Sequence, residues 1–507
     1  MMKKIHILLL VAMLGLTACN NWLDVEPKTS IPTDKQFSSE SGFKDALTGV
    51  YIKLGSATLY GADLSYGYID ELGALYTGYP GYETSAVFDQ SFVYDYDNKF
   101  KSKKNAIYAD LYNVIANVNN IIGYTETKRN VLVTPRYYET IRGEALGLRA
   151  FLHFDLLRLF GPIYKEEPNA KAIPYRTTYN RVPTPVLTAQ AVVEAVLKDL
   201  HEAESLLKTS DPLDFFTDTD SEDYKQKNGF LVNREFRMNL FAVKAMLARV
   251  YCYKGDAESK ALAVKYAREV IDANQYFKLI DAQSAANYNS IRYSEQIFGI
   301  SIHELDKLLT ANHMDAEGKR SDMHYTTSED NFNEFYETAG AGVTDWRKLP
   351  EMFELTGSSN VVAFCRKYNQ KPLKEAYGYV GANAIPLIRL PEMYYIVAEC
   401  EPNAQKSADA LNAVRFARGI SFTDEIRTEH YDDPEPMLGV SRTQTKRINE
   451  IMKEYRKEFF AEGKLFFFLK AHNYETWLGC AVKSMTKAQY QMPLPDGETI
   501  HGKNNEA

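Results

Sequence analysis

The sequence predicts a mostly α-helical protein in which helical repeats carry two long irregular inserts. Apolar residues recur every three or four positions through several long segments, whereas residues 55–104 and 274–386 lose that spacing. Few segments show the alternation of apolar and polar residues that is typical of β-strands. The 507 residues are 45% hydrophobic, which excludes a disordered chain, and their net charge of −8 argues against a nucleic-acid-binding protein.

The N-terminus has the features of an export signal followed by a lipid-attachment site. Two lysines precede an apolar segment, residues 5–16, which is too short to span a hydrocarbon core of ~30 Å. The next residues, Leu16-Thr17-Ala18-Cys19, are similar to the bacterial lipobox, in which cleavage before the cysteine leaves that residue to carry a diacylglycerol. We expect residues 1–18 to be removed, Cys19 to be lipidated and residues 19–40 to form a polar tether. The alternative is an ordinary secretory signal in which Cys19 is incidental.

Residues 41–507 are expected to form one domain that begins with four amphipathic helices. A serine caps the first helix, and Gly123 ends the second. Thr134 and Pro135 supply a capping hydroxyl and a proline at the first position of the third helix, and Thr188 caps the fourth. The predicted bounds are 39–54, 105–123, 135–160 and 188–207.

A tetratricopeptide-like helix pair is predicted near the middle of the chain, at residues 234–254 and 257–273. Small alanines recur where the two helices would approach closely, and Gly255 lies at the turn between them. After the second insert, helices are predicted at 390–401, 404–418 and 446–462. Residues 481–507 are predicted to be coil.

The tyrosine content indicates a binding surface, because a tyrosine ring is apolar on its faces and polar at its tip. The chain has 35 tyrosines, and nine of them lie between residues 51 and 96. Glycine and proline around residues 76–82 favour turns that expose rings, and the second insert adds further aromatic residues. The predicted ligand-binding residues are Tyr76, Tyr79, Tyr82, Tyr325, Tyr336, Trp346 and Arg347. The alternative is that these rings only pack inside the inserts, as we expect for Phe332 and Phe335.

The sequence carries no motif that indicates catalysis or a cofactor. His303-Glu304 lacks the second histidine of a zinc-peptidase motif, and His153 lies on an apolar helix where a core role is expected. Asp95, Asp97 and Asn98 could hold Ca²⁺, but the glycine and the closing glutamate of an EF-hand are missing. We therefore expect no enzyme, no cofactor and no metal. Two alternatives stay open, a pair of glycosidase carboxylates distant in sequence and a disulfide among the four cysteines after Cys19.

Several ordered segments resemble the SusD/RagB family of outer-membrane nutrient-uptake lipoproteins. They are residues 19–27, 43–51 and 245–255, the central-helix segment Gly143-Glu144-Ala145-Leu146-Gly147-Leu148-Arg149-Ala150-Phe151 with residues 158–161, and the C-terminal segments Arg389-Leu390-Pro391-Glu392-Met393-Tyr394 and Glu454-Tyr455-Arg456-Lys457-Glu458-Phe459-Phe460-Ala461-Glu462-Gly463. The resemblance covers nearly the whole chain after residue 18. Pro391, Glu401-Pro402 and Lys464 depart from the family pattern at positions that affect scaffold geometry.

The resemblance implies a lipoprotein on the surface of a Gram-negative outer membrane, paired with a SusC-like TonB-dependent β-barrel transporter. It implies a tetratricopeptide-like scaffold that packs on the barrel and an irregular face that holds the ligand without catalysis. An oligosaccharide is the expected ligand, because aromatic rings stack on the C–H faces of sugars while polar groups bind the hydroxyls. The alternatives are a peptide ligand, a surface hydrolase, or a scaffold that binds no ligand.

Overall fold

The computed structural model describes residues 33–77, 93–211, 229–280, 291–312, 314, 325–358, 361–437 and 439–501. The predicted lipidation site Cys19 and the predicted ligand contacts Tyr79 and Tyr82 lie outside these ranges. None of the helices in the described ranges is long and apolar enough to cross a membrane.

Helices dominate the described chain, which confirms the predicted class. In chain order they are α1 (Thr33–Gln36), α2 (Glu40–Leu54), α3 (Tyr68–Leu72), α4 (Lys101–Thr127), α5 (Tyr137–Phe160), α6 (Ala189–Ser210), α7 (Leu240–Lys254), α8 (Ala257–Ile271), α9 (Leu305–Ala311), α10 (Glu329–Phe335), α11 (Gln370–Ala382), α12 (Leu390–Cys400), α13 (Ala404–Ala417), α14 (Lys446–Glu458), α15 (Leu465–Ala471), α16 (Lys487–Tyr490) and α17 (Asp496–His501).

Side-chain caps fix the start of several of these helices where the sequence predicted them. The Ser39 hydroxyl accepts a hydrogen bond from the Gly42 N–H at the start of α2, and Thr188 does the same for the Ala191 N–H in α6. Gly255 ends α7 in the left-handed conformation, with φ of +75°, as its place at the predicted turn requires.

Several predicted helix ends are wrong: α4 begins at Lys101, α7 begins at Leu240, and α14 ends at Glu458. Two further ends have a visible cause. Helix α4 continues through Gly123 to Thr127, because its packing on α5 outweighs the cost of about 1 kcal/mol that a glycine carries inside a helix. Helix α5 begins at Tyr137 rather than at Pro135. The reason is that both the N–H and the hydroxyl of Thr134 donate to the Glu40 carboxylate, at 2.6 and 2.7 Å, so the hydroxyl does not cap the helix.

Helix α5 lies at the centre of the scaffold. Of its 24 residues, only Tyr138, Glu139 and Arg142 are not buried, and α4 and α6 pack along it. Helices α7 and α8 form the predicted pair, and α8, α12 and α13 continue the series of neighbours. A Cβ atom added to Gly143 would lie 2.8 Å from Leu207 Cγ, so α5 and α6 approach as closely as only glycine permits.

The strands are short, and most of them lie in the second insert. They are β1 (Lys171–Pro174), β2 (Val186–Thr188), β3 (Gln296–Ser301), β4 (Thr326–Ser328), β5 (Phe353–Thr356), β6 (Val362–Cys365), β7 (Ala384–Arg389), β8 (Pro434–Glu435) and β9 (Gln444–Thr445). Antiparallel pairing joins β1 to β2, β3 to β7 and β8 to β9, and the order β4-β6-β5 forms a three-stranded sheet. The second insert, predicted to be irregular, therefore has a β framework with helices between its strands.

The cysteines that the structure describes are Cys252, Cys365, Cys400 and Cys480, and all four are free thiols.

Candidate functional site

The two inserts meet at a hydrogen-bonded junction between Thr77 and strand β4. The Thr77 N–H donates to the Thr326 carbonyl at 2.8 Å, and the Ser328 N–H donates to the Thr77 hydroxyl at 2.8 Å. Thr77 therefore lies beside the start of β4, and the residue before that strand is Tyr325. The junction brings together the two parts of the chain in which the sequence predicted ligand contacts.

An aromatic cluster supports this junction; its members are Tyr66, Tyr76, Tyr325, Tyr368 and Phe460. The Tyr325 ring lies 5.0 Å from that of Tyr76 and 5.5 Å from that of Tyr66, edge to face in both cases. Tyr66, Tyr76 and Tyr368 are fully buried, whereas Tyr325 is only half-buried. In this cluster, Tyr325 is the residue that is not fully buried.

Tyr76 and Tyr336 are interior residues, so the prediction that they contact ligand needs correction. The Tyr76 hydroxyl donates to the Tyr66 carbonyl at 2.7 Å, and its side chain is fully buried. Tyr336 is also fully buried, and its hydroxyl donates to the Lys457 carbonyl at 3.2 Å. Both hydroxyls are bonded to backbone, so neither side chain offers a surface on which a sugar or a peptide could lie.

Trp346 is held inside the fold as well. Its indole N–H donates to the Ala417 carbonyl at 2.8 Å, and its side chain is 6% exposed. The guanidinium groups of Arg292 and Arg418 each lie 5.2 Å from the ring. With two cations against its π face, the ring serves an internal cation–π contact and has no face free for a ligand.

Arg347 is the most firmly held of the predicted contacts. Its fully buried guanidinium donates to Asp345 at 2.6 Å, to Glu454 at 2.8 Å and to Glu458 at 3.2 Å. Because bonding to these three carboxylates neutralises the cation, Arg347 cannot reach a ligand without breaking buried ion pairs. The prediction that it binds ligand is not supported, and its role here is structural.

These contacts belong to a larger buried ion-pair network, whose members are Arg292, Glu295, Asp345, Arg347, Lys367, Arg389, Arg415, Arg418, Glu454, Lys457, Glu458 and Glu462. Glu454, Glu458 and Glu462 follow one another at four-residue spacing along α14 and just after its end. That spacing places Glu454 and Glu458 on one side of α14, where they face the arginines of other elements, and Glu462 follows the helix and pairs with Arg389. The network ties the second insert to α13 and α14.

The network carboxylates are held in their ionised form. Burial opposes ionisation of Glu454, but Arg347, Lys457 and Arg415 outweigh it and hold the pKa of its carboxyl well below the ordinary value. Arg418, Arg292 and Arg389 do the same for the pKa of Glu458 against the same cost of burial. Carboxylates that are buried and paired with arginines on neighbouring elements are typical of a structural ion-pair network, and we assign that role to them.

Two other candidates from the sequence have structural roles. His153 is buried; its Nε2 accepts from the Arg176 N–H at 3.0 Å, and its Nδ1 lies 2.9 Å from the Arg149 carbonyl. Burial lowers the pKa of His153 to about 3, which confirms a neutral core histidine. Asp95 accepts from the backbone and side-chain N–H groups of Asn98, and so stabilises a turn.

The junction therefore retains Tyr325, of the described predicted residues, as a candidate contact. Tyr66 and Tyr368 were not predicted as parts of this site, although they pack around it. Tyr66 belongs to the tyrosine-rich stretch after residue 51, so the composition signal was present. Tyr368 had no such signal, because its contact with Tyr66 joins distant parts of the chain.

Comparison with known protein families gives two matches that together span most of the chain. Residues 268–499 match the model described as the SusD family, and residues 21–217 match the model described as starch-binding associating with outer membrane. No curated protein sequence matches this chain.

Solved structures with a similar fold include three proteins from Bacteroides. A SusD-like carbohydrate binding protein from Bacteroides vulgatus ATCC 8482 is 18% identical with a TM-score of 0.67, over 92% of this chain and 97% of that one. A SusD superfamily protein from Bacteroides thetaiotaomicron VPI-5482 is also 18% identical with a TM-score of 0.64, over 91% and 97%. A SusD superfamily protein from Bacteroides fragilis is 17% identical with a TM-score of 0.64, over 93% and 100%.

Proposed function

This chain belongs to the SusD family, and from that premise we propose that it captures oligosaccharides at the cell surface without cleaving them. It then delivers them to a SusC-like TonB-dependent transporter in the outer membrane. The observation that carries the proposal is the match of residues 21–217 to a model described as starch-binding associating with outer membrane. The similar fold of a SusD-like carbohydrate binding protein supports the same class of ligand.

The junction of the two inserts is the proposed place of capture. Tyr325 is a half-buried residue whose ring is braced by two buried tyrosines, so little entropy is lost when a sugar binds against it. The hydrogen bonds between Thr77 and β4 fix the position of that ring relative to the first insert. Tyr79 and Tyr82 remain predictions from the sequence.

Lipidation at Cys19 is the proposed means of attachment. Each buried CH₂ of an acyl chain contributes ~0.8 kcal/mol, so two or three chains hold a protein firmly on a membrane. Residues 19–32 would then connect the lipid to α1, where the described chain begins.

An uptake experiment tests delivery and partnership together. Cells that produce the full chain, no chain, or the chain with Tyr325→Ala are given a fluorescent oligosaccharide, and the tagged chain is recovered from detergent-solubilised membranes. We expect a TonB-dependent β-barrel to be recovered with both the unchanged and the variant chain, and uptake to require the chain and to fall in the variant. Equal uptake without the chain, or recovery of no barrel, would contradict the proposal.

A further inference from the structure

A groove on the helical scaffold is separate from the junction of the inserts. It lies between α4, α5 and α6 and is closed at one end by the connection after β1, and its volume is about 780 Å³. This volume falls within the range of ~300–1,000 Å³ that is typical of small-molecule sites. None of the residues that line this scaffold groove belongs to the aromatic cluster.

The floor of the scaffold groove is rigid. Arg149 binds the Asp199 carboxylate through two parallel hydrogen bonds of 2.7 and 2.8 Å, and Tyr175 donates to the same carboxylate at 2.5 Å. Two helical turns before Arg149 on α5, Arg142 binds the Glu202 carboxylate at 2.7 Å. The bidentate Arg149–Asp199 pair fixes planar polar groups in place, so the floor of the groove keeps its shape before any ligand binds.

The charges that line the groove cancel. Arg142 pairs with Glu126 and Glu202, Arg149 pairs with Asp199, and Lys198 is the third cation of the lining. A phosphate or a uronate would find both arginines already paired with carboxylates and, among the described residues of the lining, only Lys198 free, so an anion gains little at the floor of the groove. A peptide anchored by apolar side chains fits no better, because the aliphatic part of the lining is limited to Ile122 and Ala195.

The rim of the groove still has groups that can bind hydroxyls. The side chains of Asn120 and Lys198 have no hydrogen-bond partner among the described residues, and both line the groove. Tyr179 lies at the rim with 58% of its surface exposed, so its ring is available for stacking.

We propose that the scaffold groove is a second binding site, which takes a neutral oligosaccharide. Tyr179 stacks on a sugar ring, and Asn120 and Lys198 bind its hydroxyls. The arginine–carboxylate ion pairs at the floor of the groove select against charged sugars. The ligand class follows from the lining of the groove itself, so this proposal does not depend on capture at the insert junction.

Two glycine variants give a matched test. Gly123 lines the groove on α4, and Gly49 lies outside it on α2; a Cβ atom added at either position would meet nothing within 4 Å. Gly123→Trp places an indole in the groove, whereas Gly49→Trp places the same side chain on a helix surface elsewhere. Both variants are made in the mature full-length chain and checked for unchanged circular dichroism.

The readout is hydrogen exchange with and without short neutral oligosaccharides from α-glucan, xylan, mannan, galactan and fructan, with oligogalacturonate as the charged comparison. We expect at least one neutral sugar to slow exchange of the amides at residues 177–179, with affinity for that site at least about tenfold weaker in Gly123→Trp and unchanged in Gly49→Trp. Oligogalacturonate should give no such protection.

The possible failures are distinguishable. Protection confined to residues around Thr77 and Tyr325 would overturn the groove proposal and leave the proposed function intact. Protection confined to the groove would support this proposal and contradict capture at the junction. Equal effects of the two tryptophan variants, preference for oligogalacturonate, or no protection by any sugar would overturn the groove proposal.

Discussion

Removing the charge of Glu458 should destabilise the protein more than most single substitutions. This fully buried carboxylate accepts hydrogen bonds from Arg347 at 3.2 Å, from Arg389 at 2.8 Å and from Arg418 at 2.9 Å. In Glu458→Gln the side chain keeps its size, but these three guanidinium groups lose a shared anion inside the fold. The perturbation is therefore electrostatic and leaves the packing volume almost unchanged.

The magnitude follows from the cost of an uncompensated buried charge. Breaking one buried ion pair costs about 3–5 kcal/mol. Glu458 pairs with four arginines, since Arg292 lies 3.6 Å away in addition to the three that donate to it, so we expect at least about 3 kcal/mol. Glu295, Glu454 and Glu462 still neutralise part of the cationic charge, which keeps the loss below the sum of four separate pairs. A loss of 3 kcal/mol lowers the ratio of folded to unfolded protein by about a hundredfold.

Urea unfolding, followed by far-UV circular dichroism and by tryptophan fluorescence, measures this loss. Trp346 lies against Arg418 of the network, so fluorescence reports on the same region. The control is Glu304→Gln, which removes a carboxylate from an exposed pair with Lys307 and should leave the midpoint unchanged. If Glu458→Gln shifts the midpoint no more than Glu304→Gln does, the network does not stabilise the fold as we argue.

Three further outcomes are expected. Gly143→Ala should destabilise the protein by about 1–3 kcal/mol in urea unfolding, because the added Cβ would lie 2.8 Å from Leu207 Cγ. Gly123→Ala, whose added Cβ would meet nothing within 4 Å, should stabilise it by about 0.5–1 kcal/mol. The opposite order would refute the close approach of α5 and α6. Burial disfavours the ionised form of Glu392, but Arg249 lowers the pKa of its carboxyl to about 2, below the value in the unfolded chain. The ion pair therefore stabilises the fold fully above about pH 5, and this contribution is lost as the pH falls toward 2. Glu392→Gln should make acid unfolding, measured by circular dichroism, less dependent on pH over that range. Cys19→Ala should move the protein from the membrane fraction to the soluble fraction on immunoblots, and retention in membranes would exclude lipid attachment at this residue.

Helices with one apolar face could be predicted from the sequence, because their burial leaves a period of three to four residues. The strands β3 and β7 could not. Five of the six residues of β3 and all six of β7 are buried, so neither strand shows the alternation that marks a half-exposed strand. Each strand is stabilised by the other, about 90 residues away in sequence, and no local pattern records that pairing.

The candidate site was less predictable than the fold for a related reason. Trp346 beside Arg347 has the same local composition whether the pair faces a ligand or the core. Burial of Arg347 depends on Glu454 and Glu458, which lie 107 and 111 positions later in the chain. The sequence located the tyrosine-rich insert but could not show that Tyr76 packs against Tyr66, Tyr325 and Phe460 inside it.

The sequence contains a pattern at the scaffold groove whose meaning only the structure shows. Arg142 and Arg149 lie seven residues apart on α5, a helix that is otherwise mostly apolar. Seven residues are two helical turns, so both guanidinium groups emerge on one side of the helix. Their partners lie on α4 and α6, and whether those helices leave a groove open above α5 depends on tertiary packing.

Capture of a sugar without cleavage is the central claim, and one calorimetric titration tests it most directly. The mature chain is titrated with the same neutral oligosaccharides. The solution in the calorimeter is then analysed by mass spectrometry for the length of the oligosaccharides. We predict saturable binding of at least one oligosaccharide, which is recovered at its original length. Shortened products that disappear when one Asp or Glu is substituted, or binding of peptides with no binding of any sugar, would contradict the account.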